Sequence, residues 1–458
     1  MGILNFKTAF LIAIVYYASI ASAQYNYGEV IEKSLLFYEA QRLGRLPSSN
    51  RIPWRGDAFV SDRGQNGEDL SGGYCDAGDF VKFGFPFASA MTMLAWGMVD
   101  FKAGYVKAGQ WEHAKAALKW GTDYMIKIHP EPNVLYVQVG DAQIDHNYWG
   151  RPEDWPTDEI RPTIRATTSR PASEVAAEQA AAMAAASVVY RDDGDTAYAA
   201  TLLQHARDLY TFASTYRAKY TDTFPEIAEY YNSYSGYGDE LLWAAAWLWR
   251  TTYEDKYEQD YERYWTEFNL NGRPVEASWD DKAAQAQVLL AKADGTAKYV
   301  TAARAFCDWV VDQVPRTPKG LAFISEWGSL RHAANAAFTC LQAAEAGINA
   351  DKYRTFAKQQ IDYMLGSTGR SFVCGYGNNP PQRPHHAAAS CPNRPASCDW
   401  SDFSKPDPNP QVLNGALVGG PNRQDQYNDD REDYVANEVT LDYNAGFQGA
   451  LAALNILY

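Results

Sequence analysis

Along most of this chain apolar residues recur at spacings of three and four, the pattern of helices that bury one face. The pattern predicts helices over Tyr27–Leu43, Phe80–Phe101, Trp111–Ile128, Ser173–Tyr190, Thr196–Lys219, Asp239–Thr252, Asp255–Phe268, Asp281–Ala293, Ala297–Val314, Ser329–Ala346, Lys352–Leu365 and Asp442–Ile456. Several are rich in alanine, Ala176–Ala186 above all, which favours helix and close packing between helices. Strand-like runs are few and short, with Val134–Val139 the best of them. A dozen helices in series, with no long heptad pattern, predict an all-α toroid of inner and outer helices. A helical-repeat array is the alternative, but no fixed period with a recurring motif runs through the chain. The segments 140–171 and 366–439 are long connections, and ordered connections of that length usually carry function.

The first residues read as a secretory signal. Lys7 supplies the charge, an apolar run follows from Ala9 to Ile20, and Ala21-Ser22-Ala23 fits a cleavage site. The run is short for a membrane span and holds two tyrosines, so cleavage after Ala23 and an extracellular protein without a membrane anchor are expected. About 435 residues follow, and no Pro/Ser/Thr-rich tract, Gly/Ser run or block of like charge divides them. One domain over residues 24–458, acting as a monomer, is the simplest reading. The net charge of −15 leaves no basic stripe for phosphates and argues against nucleic acid as a partner. Six cysteines stand at 75, 307, 340, 374, 391 and 398. Cys391 and Cys398 flank a short Pro-containing loop and are the expected disulfide, whereas Cys307 and Cys340 fall on helical patterns and are expected as buried thiols. Asn-X-Ser/Thr does not occur, so no N-linked glycan is expected.

Two carboxylate-bearing motifs stand at opposite ends of the chain. One is Gly72-Gly73-Tyr74-Cys75-Asp76-Ala77-Gly78-Asp79; the other runs from Asp429-Asp430-Arg431 to Asn437-Glu438. Two carboxyl groups across a cleft are the minimum for glycoside hydrolysis: one activates water, the other protonates the leaving oxygen. The ordinary alternative is capping, with Asp79 as N-cap of the helix predicted from Phe80 and Glu438 as an acid before the last helix. Ser235-Gly236-Tyr237-Gly238-Asp239-Glu240 likewise reads, on chemistry alone, as a helix start with acidic first-turn residues. His385-His386 makes a poor metal chelate, because adjacent histidines lack a third ligand at the right spacing.

Three stretches in order carry a resemblance over essentially the whole mature chain. They are the first motif, Ser371-Phe372-Val373-Cys374-Gly375-Tyr376-Gly377 followed by Asn378-Asn379-Pro380-Pro381 and Pro384-His385-His386, and the closing Asp-Asp-Arg, Asn-Glu-Val and Asp-Tyr-Asn-Ala. Together they resemble glycoside hydrolase family 9, the endo-β-1,4-glucanases, and look most like its single-module animal gut members. The resemblance implies an (α/α)6 barrel with an open cleft, hydrolysis of cellulose and cello-oligosaccharides, and inversion at the anomeric carbon. It assigns Asp79 as general base, Asp76 as partner in holding the water, and Glu438 as general acid. It further implies cleft roles for His146, Trp149, Tyr231, Trp327, Arg331, His385 and Tyr443, with His146 on a sugar hydroxyl and Trp149 stacked on a ring. It also implies a structural Ca²⁺ held by backbone oxygens of Ser235 and Gly236, by Asp239 and Glu240, and by an oxygen from the segment around Asp280. The chain departs from the pattern at Ala387, where arginine is expected. A processive or exo-acting enzyme, one preferring another β-glucan, and a binding protein without catalysis are the competing readings.

Overall fold

The computed structural model describes residues 25–156 and 161–458; the expected signal sequence lies outside them. Among the described residues twelve helices of eleven residues or more alternate between two concentric layers. The outer layer is α1 (Tyr27–Ala40), α3 (Trp111–Ile128), α5 (Thr196–Thr215), α7 (Asp255–Glu267), α9 (Ala297–Asp312) and α11 (Ala350–Leu365). The inner layer is α2 (Gly84–Asp100), α4 (Ser173–Asp192), α6 (Gly238–Thr252), α8 (Ala283–Ala293), α10 (Ser329–Glu345) and α12 (Leu441–Leu457). Each inner helix packs on the next, and α12 returns to α2, so the ring closes. This is an (α/α)6 barrel.

The layers differ because their sequences do. Outer helices are amphipathic: α7 buries Tyr257, Tyr261, Tyr264 and Trp265 and turns its charges to water. Inner helices are buried on all sides, as α4 is from Ser173 to Tyr190, and small residues set their spacing. Where α2 meets α12, a β-carbon on Gly97 would stand 3.1 Å from the Gly449 Cα. Trp96, Trp243 and Trp247 fill the middle in edge-to-face contact, with ring centroids 5.3–6.2 Å apart.

Each of the twelve predicted helices is present, with its ends moved by a few residues. One shift of four residues falls at the first motif. There α2 begins at Gly84, preceded by strand β1 (Lys82–Phe83), which pairs antiparallel with β2 (Leu135–Val139); β2 pairs in turn with β3 (Thr163–Ala166). Asp79 is therefore not a helix cap. A second expectation is overturned by the cysteines. Cys307 on α9 and Cys340 on α10 are joined by a disulfide, Cα atoms 5.6 Å apart, because neighbouring outer and inner helices bring the two positions face to face. Cys391–Cys398 pair as expected, and Cys75 and Cys374 are buried free thiols. Among the described residues no helix is long and apolar enough to cross a membrane.

Candidate active site

The connections at one end of the barrel bring both carboxylate motifs to a single cleft. Two adjoining cavities of about 470 and 490 Å³ share Asp79, His146, Tyr230, Trp327 and Glu438 as walls. The first is completed by Asp76, Tyr231, Arg331 and Tyr443; the second by Trp149, His385, Trp400, Phe403 and Tyr434. A further hollow of about 700 Å³ continues past Trp327 over Pro421, Asn422 and Tyr427. All ten residues assigned to catalysis and to the cleft from sequence thus line one groove.

The base-side loop is held from beneath. Gln41 donates from Nε2 to the Ala77 carbonyl (2.6 Å), and His386 holds Gln41 through Nε2–Oε1 (2.8 Å). Burial keeps His386 neutral, its pKa pushed down to about 3, and its Nδ1 accepts from Ala389 N (3.0 Å). His386 is a support, and His385 faces the cleft. A β-carbon at Gly78 would stand 2.3 Å from the His385 carbonyl oxygen, so only glycine lets the two loops meet. Asp76 is buried and accepts a hydrogen bond from the Tyr231 hydroxyl. Burial and the neighbouring Asp79 charge hold its carboxyl well above the usual range. Asp79 is also raised by burial, but His146 and the backbone N–H groups of Val81, Asp79 and Ala77 oppose the rise. The pair divides the labour: Asp76 is the readier to hold a proton, Asp79 the readier to be ionised.

Glu438 sits opposite, on backbone that is itself pinned. Asn437 O accepts from His385 N (2.9 Å) and Glu438 O accepts from Gly419 N (2.9 Å). Its Oε2 accepts from both Trp327 Nε1 (3.0 Å) and the Tyr443 hydroxyl (3.0 Å), which leaves Oε1 for a proton. Burial raises its pKa against those two hydrogen bonds and His385, and Asp79 adds to the rise. His385 donates from Nδ1 to Arg431 O (2.7 Å), fixing the tautomer with Nε2 unprotonated. Arg331 is held by Asp442 (3.0 Å) and lies over the Tyr443 ring.

Other parts of the motifs are structural. Arg431 is buried and donates to Asn409 Oδ1 (2.7 Å) and to the carbonyls of Asp402, Phe403, Lys405 and Asp407 (2.9–3.0 Å), organising the loop that carries Trp400 and Phe403. Asp429 accepts from Gln382 N (2.8 Å) and Arg383 N (3.0 Å). Trp149 is only 7% exposed, donates to Ser390 Oγ (2.8 Å) and packs edge-on to His385 and Phe403. It walls the cavity, while Trp400 at 46% and Trp327 at 48% exposed offer the open ring faces. Sequence reasoning missed Trp400, Phe403 and Tyr434, whose only signal is their aromatic character in a long connection. Ala387 is buried beside Trp149 and Phe403. Arg383 does not stand in for the missing arginine, since its Nε is bound to Asp429 O (2.6 Å) and its Nη1 faces Asp430 (3.7 Å).

The residues assigned to calcium lie where α6 begins. Glu240 is fully buried and neither of its carboxylate oxygens has a hydrogen-bond partner among the described residues. Asp239 beside it accepts from Lys282 N (2.7 Å). Lys282 Nζ is spent on Ser278 O (2.7 Å), Ser89 and Glu178 (4.0 Å). Burial raises all the acids here, and repulsion from Asp239 adds to the rise at Glu240 and at Asp280, the latter pushed up to about 7. A buried carboxylate without donors must carry a proton or meet a cation, and for a cation the oxygen-only donor set fits Ca²⁺. Asp280 spends its oxygens on Tyr234 N (3.0 Å) and Ser235 N (3.1 Å), so it shapes the loop of Ser235 and Gly236, whose Gly236 carbonyl accepts from Ser233 Oγ (2.9 Å).

The glycosyl hydrolase family 9 profile matches residues 27–451. The chain belongs to this family. It is a glycoside hydrolase. It is 53% identical to the endoglucanase of the termite Nasutitermes takasagoensis, whose structure superposes with a TM-score of 0.93 over 94% of this chain and 99% of that one. The CelQ endoglucanase of Clostridium thermocellum, solved with cellobiose and cellotriose, is 38% identical with a TM-score of 0.85, covering 94% of this chain and 70% of that one. Endoglucanase B of Cellulomonas fimi is 45% identical over 97% of this chain, which spans 43% of that protein's length.

Proposed function

We propose that this chain is a secreted, inverting endo-β-1,4-glucanase of cellulose and cello-oligosaccharides. Asp79 takes a proton from the attacking water, with Asp76 as the second carboxyl that helps hold that water in place. Glu438 gives a proton to the departing glycosidic oxygen. The observation that carries the reading is the pairing of two half-buried carboxyls with opposed surroundings. Glu438 is held by Trp327 and Tyr443 on one oxygen only, while Asp79 has backbone N–H groups and His146 to stabilise its charge. Trp327, Trp400 and Tyr434 supply the aromatic faces a glucan chain needs, and His385, Arg331 and His146 supply polar contacts. A groove that runs on past Trp327 favours attack inside a chain over attack at its end. Asp239 and Glu240, with the Ser235 and Gly236 carbonyls, would hold a Ca²⁺ ion that would offset the two acidic charges and stabilise the fold without a part in the chemistry.

Carboxymethylcellulose tests the function. A rapid fall in viscosity with slow release of reducing ends is the expected result. Binding without release of reducing ends would favour a non-catalytic carbohydrate-binding protein, and release without loss of viscosity an exo-acting enzyme.

A further inference from the structure

The mechanism uses Asp79 and His146 but leaves Asp145 unexplained. Asp145 closes the one-turn helix Ala142–Asp145, capped by Asp141, which accepts from Ile144 N (3.0 Å). It is only 3% exposed. Its Oδ1 accepts from Phe80 N (3.2 Å), and its Oδ2 has no hydrogen-bond partner among the described residues. The nearby guanidinium of Arg161 is bound instead to Asp62 (2.9 Å) and to Phe80 O (3.0 Å). A carboxylate buried in this way beside a second one, Asp79, has no hydrogen-bonded counter-charge among the described residues.

Among the described residues, Asp79, Asp145 and His146 are the only three histidine, cysteine or acidic side chains whose ligand atoms all lie within 4.8 Å of one another. His146 Nε2 stands 3.9 Å from Asp79 Oδ2. Two ligands at about 2.0–2.2 Å from one ion sit roughly 3.3–4.4 Å apart, so this separation fits a shared metal. The approach is open, since the His146 side chain is 45% exposed on the cleft wall. The donor set decides the class of ion. Two carboxylates and an imidazole suit a borderline dication such as Zn²⁺, whereas Ca²⁺ prefers oxygen alone.

We propose that Asp79, Asp145 and His146 form a binding site for a divalent transition-metal ion of the zinc class, and that its occupancy stops hydrolysis. The site itself stands on geometry. The loss of activity rests on the reading of Asp79 as base, because an ion bound to that carboxylate draws on its charge and lowers its basicity toward water. The metal acts as an inhibitor, and no step of catalysis passes through it.

The test titrates ZnCl₂ into the full chain saturated with Ca²⁺, following heat of binding and the rate on cellotetraose. One Zn²⁺ should bind and activity should fall in step with occupancy. Asp145→Asn keeps the acceptor for Phe80 N and removes a ligand. It should weaken zinc binding, and raise the concentration for half-inhibition of its own zinc-free rate, at least tenfold. His146→Gln, followed by heat of binding alone, should lose affinity to a similar degree and does not depend on residual activity. His129 and His205 offer a second imidazole pair, Nδ1 atoms 2.7 Å apart, so His205→Gln is the control and should change neither quantity. Unchanged zinc affinity in both Asp145→Asn and His146→Gln, or its loss in His205→Gln, overturns the site. Zinc that binds through Asp145 while the loaded enzyme keeps its full rate overturns the inhibition, and places the fault with Asp79 as base.

Discussion

Two clusters of carboxylates are withdrawn from water in this molecule, one half-buried at a cleft and one fully buried, and their surroundings give them opposite uses. Asp76, Asp79 and Glu438 border a cleft. Each has a hydrogen-bond donor, and each faces space where a proton or a water can come and go. Asp239 and Glu240 sit at the head of an inner helix, and among the described residues Glu240 meets neither donor nor solvent. Raised pKa values mark both groups. A perturbed carboxyl alone therefore does not identify a catalytic one; access to a reacting partner does. The first cluster should govern rate and leave stability alone, and the second should do the reverse.

The sharpest break of this contrast is Asp79→Asn. It should abolish hydrolysis of every substrate, whatever the leaving group, with an unchanged melting temperature; a wild-type rate would hand the base role to Asp76. Glu438→Gln should lower the rate on cellulose by about 10²–10⁴-fold. It should spare aryl cellobiosides with good leaving groups, which need little protonation, and an equal loss on both substrates would count against an acid. The pH profile carries the same logic. Activity should fall at high pH as Glu438, raised by burial, loses its proton, and at low pH as Asp79 gains one. Glu438→Gln should erase the high-pH limb of the kcat/KM profile.

The second cluster answers to calcium. A ligand bound only by the native state adds about 2.7 kcal/mol at 100 times its Kd, so chelator should lower the melting temperature by a few degrees. Glu240→Gln removes a buried charge. It should melt above the calcium-free wild type and ignore both chelator and added calcium, with kcat unchanged when each protein is folded. Calorimetry that finds the same calcium response in both proteins would remove Glu240 from the site. The smallest effect is expected at Ala387. With Arg383 engaged by Asp429 and Asp430, Ala387→Arg should raise kcat/KM on cello-oligosaccharides by about tenfold or less, one charged hydrogen bond being worth at best about 1.5–3 kcal/mol. A loss of activity would mean that the pocket beside Trp149 has no room for the longer side chain.

The barrel was legible because period and composition are local. Twelve stretches with apolar spacing of three and four became its twelve helices. The start of α2 was misplaced because Phe80-Val81-Lys82-Phe83 continues the apolar run while pairing as strand with Val139 and Gln138, a tertiary preference. Cys307–Cys340 was illegible for a similar reason: spacing on each helix says nothing of which faces meet across two layers. Asp76, Asp79 and Glu438 were legible through a resemblance, since as residues they read equally well as a turn residue, a helix cap and an acid at a helix start. Gln41, His386 and Asp145 were not, because each acts through a contact with a residue distant in sequence: Gln41 on Ala77, His386 on Gln41, Asp145 on Phe80.

The central claim is that Asp79 and Glu438 divide base and acid across one cleft and so invert the anomeric carbon. Proton NMR of cellotetraose during the first minutes of hydrolysis tests it most directly. The account predicts that the new reducing end forms as the α-anomer and only later drifts to the equilibrium mixture. A β-anomer formed first would mean a covalent intermediate on one of these carboxylates, and would contradict it.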